Sequence, residues 1–266
     1  MSSPNSKISR KLLRLLSQFP FPQKALALLE RLSALKQGRG WGSATIVEEI
    51  NCCISLLKNA PKIVIDVGAN KGLYTEELVK RYPQARYYLF EPSLLNFEIL
   101  NIKFQAHMNI NVYQKAVSNA TGSAKLFSDQ EGSGLASLTK RNLEHFSVEM
   151  NIESIVDTIS LGWFLNENLP GEVIDYIKID IEGHELDALR GMGERVSDVK
   201  IIQFEFGGCN IDTRTYFQDF WYFFKSKNFR IYRITPAGCK LIPAYKESDE
   251  FFLTTNYIAA NNSLVP

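Results

Sequence analysis

A short acidic and glycine-containing segment is the part of the chain whose residues most directly suggest chemistry. The apolar run at 63–65 leads into Asp66, a turn bounded by Gly68 and Gly72, and then a helix-like stretch. Strand, turn and helix N-terminus in this order are typical of a nucleotide-type pocket at the carboxyl edge of a parallel sheet. A second apolar run ends in Glu91, which at a strand tip is positioned to accept hydrogen bonds from ribose hydroxyls.

The spacing of this turn does not fit a dinucleotide. The fingerprint G-x-G-x-x-G uses its middle glycine to let backbone approach a pyrophosphate, and Asn70 stands at that position here. The Asp66 carboxylate would also lie close to the phosphates. A Walker A loop is excluded because Leu73-Tyr74 follows Gly72 in place of Lys-Ser/Thr. S-adenosylmethionine has no phosphate and carries two cations, so the sequence predicts this cofactor, with NAD as the alternative.

Composition and charge limit the possible classes of protein. The chain has 266 residues and an ordinary hydrophobic fraction of 45%, which is enough for one large α/β domain with a small helical extension. The net charge of +1 gives no case for nucleic-acid binding. We expect an N-terminal helical extension over 1–60 and a catalytic domain over 61–266.

The basic residues are concentrated near the N-terminus. Residues 1–40 carry eight basic side chains against Glu30 alone. A basic amphipathic segment of this kind indicates either a membrane-surface or partner-docking helix, or a helix pair with a solvated basic face. Two runs with helical spacing within 8–36, separated by Pro20 and Pro22, fit both interpretations.

The sequence predicts a cytoplasmic protein. No segment reaches the roughly 18 apolar residues of a membrane span, and charges interrupt each short apolar run before Trp41, so we expect no signal peptide. The spacing of the four cysteines suits neither a zinc site nor a disulfide framework, and they are expected to be reduced thiols. They are Cys52, Cys53, Cys209 and Cys239.

The remaining chain alternates between strand-like and helix-like segments. Strands are predicted near 62–66, 86–91, 110–116, 173–180, 199–206, 229–235 and 251–259. Helices are predicted near 44–58, 73–82, 93–106, 185–192 and 214–228. This pattern predicts a Rossmann-like α/β fold with a seven-stranded sheet and helices on both faces. The polar link 236–250 does not resemble a crossover helix, so the last strand is expected to be antiparallel, as in class I methyltransferases.

The stretch 118–171 interrupts this alternation. It contains a Gly/Ser-rich loop at 129–137 and an amphipathic piece at 156–161. A long flexible loop at the strand-tip edge is a candidate lid over the site, with a simple surface excursion as the alternative.

Three segments together resemble the FkbM family of methyltransferases. They are Ile65-Asp66-Val67-Gly68-Ala69-Asn70-Lys71-Gly72-Leu73-Tyr74-Thr75, Phe90-Glu91-Pro92, and Tyr176-Ile177-Lys178-Ile179-Asp180-Ile181-Glu182-Gly183-His184-Glu185. The resemblance covers roughly residues 60–260. It implies S-adenosylmethionine-dependent O-methylation of a hydroxyl on a sugar, glycolipid, macrolactone or related metabolite.

The resemblance also implies which residues hold the cofactor. The turn would shape the pocket for the methionine end, Glu91 would take the ribose hydroxyls, and residues 116–118 would lie along the adenine. The cofactor-binding residues expected on this basis are Asp66, Gly68, Ala69, Asn70, Gly72, Tyr74, Thr75, Glu91, Pro92, Ala116, Val117, Ser118 and Asp180.

Four residues near two later strand ends are candidates for the reaction itself. We expect Asp180 or His184 to act as general base, with Glu182 and Glu205 orienting the substrate or the base. Structural roles stay open, because Glu182 or Glu185 would also favour the N-terminal end of the next helix and His184 could be a surface residue. A divalent metal held by Asp180, Glu182 and Glu205 is possible but not predicted. Lys178 could pair with Glu205.

Two other functions remain open from the residues alone. One is an NAD-dependent oxidoreductase on a similar sheet. The other is a non-catalytic methyltransferase fold that serves as a docking module through residues 1–40. In the leading hypothesis the partner is a small-molecule or glycan acceptor.

Overall fold

The architecture comes from a computed structural model of the chain, which describes residues 14–15, 17–18, 21–42 and 45–265. Most of the first predicted helical run, including Lys7, Arg10 and Lys11, lies outside the described residues. None of the described helices is both long and apolar enough to cross a lipid bilayer.

The described chain alternates between helices and strands. The helices are α1 (Gln23–Lys36), α2 (Ile46–Leu57), α3 (Leu73–Arg81), α4 (Leu94–Phe104), α5 (Leu161–Asn168), α6 (Glu185–Arg190), α7 (Cys209–Thr213) and α8 (Phe217–Ser226). The strands are β1 (Ile63–Val67), β2 (Arg86–Phe90), β3 (Ile110–Tyr113), β4 (Ala116–Ser118), β5 (Gly122–Ser128), β6 (Ile152–Ser160), β7 (Ile174–Ile179), β8 (Val199–Phe206), β9 (Phe229–Thr235), β10 (Gly238–Ile242) and β11 (Thr255–Asn261).

The main sheet confirms the predicted Rossmann-like α/β fold. Its strand order is β10-β9-β11-β8-β7-β1-β2-β3, with β8, β7, β1, β2 and β3 mutually parallel. The last strand, β11, is antiparallel to both of its neighbours, β8 and β9, as the sequence predicts.

The sheet has eight strands instead of the predicted seven. The additional strand is β10, which lies within the link predicted over 236–250. It forms a hairpin with β9 after a two-residue turn, and Thr235 pairs with Gly238. Gly238 has a φ of 103°, a conformation that glycine adopts easily, and this allows the tight reversal.

A second, three-stranded sheet occupies the stretch predicted to be a loop with one amphipathic piece. Strand β6 lies between β4 and β5, parallel to the first and antiparallel to the second. The strand predicted over 110–116 is divided, because β3 ends at Tyr113 and β4 belongs to this second sheet. Most of β6 is solvent-exposed, so its sequence lacks the continuous apolar run that marks the core strands.

Helices pack on both faces of the main sheet, as expected for its buried strands. Two hydrophobic clusters, one centred on Phe204 and Phe220 and the other on Tyr87 and Tyr176, form the core. Helix α2 belongs to the second cluster and packs directly on the sheet. Helix α1 has no buried residue, and its leucines at 26, 28, 29 and 32 are exposed. The boundary at residue 60 between an N-terminal extension and a catalytic domain stays a prediction.

Gly68 fixes the path of the turn between β1 and α3. Its φ is 79°, and a Cβ atom at this position would lie 2.0 Å from the backbone oxygen of Asp180. Only glycine therefore lets the first turn pass against the end of β7. This close approach brings the tips of β1 and β7 together at one edge of the sheet.

We predict that Gly68→Ala destabilises the fold by clearly more than the cost of holding an alanine in the left-handed backbone conformation. Gly171→Ala is the matched control, because Gly171 has a φ of 68° with no atom within 4 Å of the added Cβ. Urea denaturation should show a loss of about 1 kcal/mol for the control and at least about 3 kcal/mol for Gly68→Ala. Equal losses for the two variants would contradict the close approach.

Candidate functional site

The predicted site residues converge on one cavity at the carboxyl edge of the parallel strands. The cavity has a volume of about 910 Å³. The predicted residues that line it are Gly68, Ala69, Asn70, Tyr74, Glu91, Pro92, Ala116, Val117, Asp180, Glu182, His184 and Glu205. Four others do not line it: Asp66, Gly72, Thr75 and Ser118.

The first half of the cavity is formed by the turn after β1 and by Glu91 at the tip of β2. The Glu91 carboxylate accepts hydrogen bonds from the backbone N–H of Asn70 at 2.8 Å and of Ser93 at 2.9 Å. These bonds hold the carboxylate at the cavity wall and favour its charged form. Burial acts in the opposite direction and leaves the pKa of Glu91 above its ordinary value.

Asp66 lies beneath the cavity and supports the turn. Its side chain is almost fully buried, accepts a hydrogen bond from the Thr75 hydroxyl at 2.6 Å, and lies 3.8 Å from the Lys178 ammonium. Burial raises the pKa of Asp66, and the nearby Lys178 opposes this shift. Asp66 and Thr75 do not line the cavity and act from below, by fixing the start of α3. Their expected role in binding the cofactor stays a prediction.

Lys178 pairs with Asp180 and not with Glu205, contrary to the sequence-based expectation. Its ammonium lies 3.1 Å from the Asp180 carboxylate and 5.1 Å from the centre of the Tyr74 ring. Burial alone would lower the pKa of Lys178, but the carboxylates of Asp180 and Asp66 outweigh it and hold the pKa above its ordinary value. A charged lysine therefore lies at the floor of the site.

Glu185 has a structural role. Its carboxylate is fully buried and accepts hydrogen bonds from the backbone N–H groups of Ile181 at 3.0 Å and Gly183 at 3.1 Å. This confirms the alternative that an acidic residue here stabilises the turn at the start of α6. Burial raises the pKa of Glu185 to about 7.

Glu182 projects from the same turn and contacts a residue that the sequence analysis did not identify. Arg141 forms a salt bridge with Glu182 and lies 3.4 Å from the Asp212 carboxylate. Burial raises the pKa of Glu182 to about 8, and the Asp180 carboxylate adds to the shift while Arg141 opposes it. Arg141 carries no recognisable sequence signal, because its two partners lie 41 and 71 residues away.

Arg141 and Ser137 attach the predicted lid to the cavity. The Ser137 hydroxyl donates a hydrogen bond to the backbone oxygen of Glu182 at 2.9 Å. Residues 132–138 line the cavity. The Gly/Ser-rich segment therefore forms part of the cavity wall in this structure.

Glu205, at the end of β8, is buried without a partner. Its side chain has no hydrogen bond or ion pair among the residues that the structure describes, although the residue is only 8% exposed. Burial raises its pKa well above the ordinary value, and the carboxylates of Asp180 and Glu182 raise it further. The donor atoms of Glu182, Glu205 and Cys209 lie within 4.8 Å of one another, so this trio, and not the Asp180-containing set, has the spacing for a metal ion.

His184 lines the cavity, and its two ring nitrogens have different surroundings. Its Nε2 lies 3.8 Å from the Asp187 carboxylate, and its Nδ1 is buried without a hydrogen-bond partner among the described residues. Burial lowers the pKa of His184, and Asp187 only partly offsets this effect. Asp180, in contrast, is 36% exposed in its side chain and lines the cavity.

Helix α2 also contributes to the wall, which the sequence did not indicate. Thr45 and Glu49 line the cavity, and the Thr45 hydroxyl donates a hydrogen bond to Glu49 at 2.6 Å. The Gln203 amide donates a second bond to Glu49 at 2.6 Å. The predicted N-terminal extension thus supplies part of the site.

Comparison with known proteins identifies the domain type. The family model described as a methyltransferase FkbM domain matches residues 66–231. Two fungal proteins are similar to this chain. Methyltransferase 1 of Beauveria bassiana (strain ARSEF 2860) is 25% identical over 154 residues, which cover 51% of this chain and 60% of that protein. Methyltransferase sdnD of Sordaria araneosa is 26% identical over an alignment of 158 residues. The alignment covers 49% of this chain and 60% of that protein. The matched region thus spans 60% of each relative.

One solved structure with a similar fold is that of the plantazolicin methyltransferase BpumL in complex with SAH. The TM-score is 0.44 and the identity 10%, with 92% of both chains covered. A similarity at this level adds nothing to the family match.

We predict that Arg141→Gln destabilises the protein, because it leaves the partly buried carboxylates of Glu182 and Asp212 without their cation. The free energy of unfolding, measured with urea, should fall by about 3 kcal/mol. Arg190→Gln is the matched control, since Arg190 makes an exposed ion pair with Asp187, and should cost less than about 1 kcal/mol.

Amide hydrogen exchange should at the same time become faster in residues 132–138 of Arg141→Gln. Unchanged exchange there, or an effect on stability no larger than that of Arg190→Gln, would contradict the attachment of the lid by Arg141.

Proposed function

The chain belongs to the FkbM methyltransferase family, and from this we propose that it methylates a hydroxyl of a sugar, glycolipid or related metabolite. The family model and both relatives carry the name methyltransferase, and the proposed cofactor is S-adenosylmethionine. The family match favours this function over the NAD-dependent oxidoreductase and the non-catalytic docking module.

The observation that carries the proposal is a single cavity with two chemically different ends. One end is formed by the β1 turn and Glu91. The other contains Glu182, from the turn after β7, and Glu205, from β8. Asp180 lies between them at the end of β7. Donor and acceptor can therefore meet beside Asp180, as a direct transfer requires.

The cofactor end suits each part of S-adenosylmethionine. Glu91 would accept hydrogen bonds from the ribose hydroxyls. The turn at Gly68 and Asn70 would hold the methionine portion, with free N–H groups of α3 nearby. Ala116 and Val117 offer an apolar surface to the adenine.

The acceptor end suits a hydroxylated molecule with a partly apolar face. Carboxylates can accept hydrogen bonds from several hydroxyls. Leu143, Phe146 and Phe252 also line the cavity and offer an apolar surface to a sugar ring or lipid chain. We therefore favour an acceptor that combines hydroxyl groups with an apolar face.

In the proposed reaction the acceptor oxygen attacks the methyl carbon in line with the sulfonium. The oxygen–carbon bond forms as the carbon–sulfur bond breaks, and the electron pair of that bond stays on sulfur to give S-adenosylhomocysteine. The hydroxyl proton passes to the Asp180 carboxylate. Orientation within one cavity can contribute up to roughly 7–11 kcal/mol of the lowering of the barrier.

Geometry favours Asp180 over His184 as the base. The Asp180 carboxylate faces the cavity and has one oxygen bound to Lys178, which fixes its orientation. Its other oxygen has no hydrogen bond within the described chain and is available to the acceptor. The Nε2 of His184 lies beside the Asp187 carboxylate, and its Nδ1 is buried without a hydrogen-bond partner among the described residues.

We propose that the enzyme acts in the cytoplasm. All four cysteines are free thiols, three of them buried, and reduced thiols are typical of that compartment. The basic residues before residue 40, together with the exposed leucines of α1, are proposed as a contact for a partner or an anionic membrane surface.

The proposal is tested by titrating the purified chain with S-adenosylhomocysteine and with NAD in a calorimeter. Micromolar binding of the first alone is expected. Incubation with S-adenosylmethionine and a panel of sugars and glycolipids should then give an acceptor one methyl group heavier. Binding of NAD alone would overturn the proposal, as would methylation confined to nitrogen or carbon atoms.

Glu91→Gln should weaken binding of S-adenosylhomocysteine by at least about 10-fold, because charge-assisted hydrogen bonds to the ribose hydroxyls are lost. Glu98→Gln, on the exposed side of α4, is the matched control and should leave the dissociation constant unchanged. Equal affinities of all three proteins would show that Glu91 does not contact the ribose.

Asp180→Asn should lower kcat by about 10²–10⁴-fold, since an amide cannot take the hydroxyl proton. The dissociation constant of S-adenosylhomocysteine should change much less. Asp157→Asn, on the exposed strand β6, should behave as wild type. A kcat within about threefold of wild type for Asp180→Asn would refute its role as the base.

A further inference from the structure

We propose that Glu182, Glu205 and Cys209 bind a divalent ion of the zinc type at the acceptor end of the cavity. Metal binding does not depend on the identity of the acceptor, whereas the effect of the ion on the acceptor hydroxyl rests on the proposed function.

The three side chains come from separate elements that meet at the strand tips. Glu182 lies in the turn after β7, Glu205 lies in β8, and Cys209 is the first residue of α7. One ligand atom from each lies within 4.8 Å of the other two, and all three residues line the cavity. An ion placed between them would therefore be reachable from the acceptor side.

The unpartnered carboxylate of Glu205 independently indicates a missing cation. A buried carboxyl group, charged or neutral, normally has a hydrogen-bond partner or a bound ion. More than nine-tenths of Glu205 is buried, and within the described chain its carboxylate has neither a hydrogen bond nor an ion pair. One of its oxygens lies within 4.8 Å of a ligand atom of Glu182 and of Cys209.

The two buried cations near the cavity are already paired and cannot neutralise Glu205. Lys178 contacts Asp180 and lies 3.8 Å from Asp66. Arg141 contacts Asp212 at 3.4 Å and Oε2 of Glu182. The Oε1 atom of Glu182 remains for an ion.

The ligand types favour zinc over magnesium or calcium. Magnesium and calcium prefer oxygen ligands throughout. Zinc binds thiolate sulfur together with carboxylate oxygen. An ammonium group of an acceptor is the alternative cation for this site. The thiol favours a metal over it, because a neutral thiol adds little to the binding of an ammonium group. On binding, the Cys209 thiol becomes a thiolate and its proton is released to solvent.

Three protein ligands leave a fourth position open, as in catalytic zinc sites. At the acceptor end, that position would be taken by the hydroxyl oxygen of the acceptor. A divalent ion makes a bound hydroxyl more acidic. The ion would thus help the proton leave toward Asp180.

Cobalt(II) is the probe for this site, because cobalt–thiolate coordination gives a charge-transfer absorption band in the near ultraviolet. The full chain, treated with chelator and dialysed, is titrated with cobalt(II) in the absence of cofactor and acceptor. We expect the band to saturate at one equivalent and to disappear when zinc is added. A tenfold excess of magnesium should leave it in place.

Three variants assign the ligands. Cys209→Ser should lose the band, whereas Cys239→Ser, at a half-buried thiol outside the cavity, should retain it. Glu205→Gln should weaken cobalt binding by at least about 10-fold, since even residues behind the ligands have effects of this size. Circular dichroism and thermal unfolding check that each variant is folded.

The proposal is overturned if the folded wild-type chain shows no band, if Cys239→Ser and not Cys209→Ser removes it, or if folded Glu205→Gln binds cobalt as tightly as wild type. Displacement by magnesium but not by zinc would also overturn it. Because the titration uses neither S-adenosylmethionine nor an acceptor, a negative result leaves the proposed methyl transfer to be judged by its own experiments.

Discussion

The buried ammonium of Lys178 is the interaction on which the site depends. It is the cation shared by Asp66 beneath the turn and Asp180 at the cavity wall. Breaking a buried ion pair by removing one partner is costly, because the remaining charge has lost both water and its counter-charge. Lys178 therefore connects the support of the cofactor turn to the orientation of the proposed base. Its position on β7, next to β1 in the sheet, makes this connection possible.

The need of a buried charged group for a partner also explains why the two ends of the cavity differ. At the cofactor end, Glu91 is satisfied by two backbone N–H groups, so its charge is stabilised without any cation. At the acceptor end, Arg141 partly neutralises Glu182, while Glu205 has no partner in the described chain. The acidic end therefore has the greater need for a cation.

Much of the fold and the cofactor half could be predicted from local sequence. Buried parallel strands appear as continuous apolar runs, and the residues that follow them must meet at one edge, so Gly68, Glu91 and Asp180 could be placed together. Strand β10 and the second sheet were missed because their strands are short or exposed and lack such runs. The pairing of Lys178 was predicted wrongly. Alternation along a strand gives the face of a side chain but cannot tell which of several nearby carboxylates it contacts.

The contributions of Arg141, Glu49 and Cys209 could not be predicted, because they depend on contacts between segments far apart in the chain.

We propose that one cavity holds donor and acceptor on either side of Asp180. A crystal structure of the chain with S-adenosylhomocysteine tests this claim most directly. It should show the ribose hydroxyls within hydrogen-bonding distance of Glu91 and the sulfur facing Asp180, with the acidic end free for the acceptor. A ligand bound with its ribose away from Glu91, or occupying the acidic end, would contradict it.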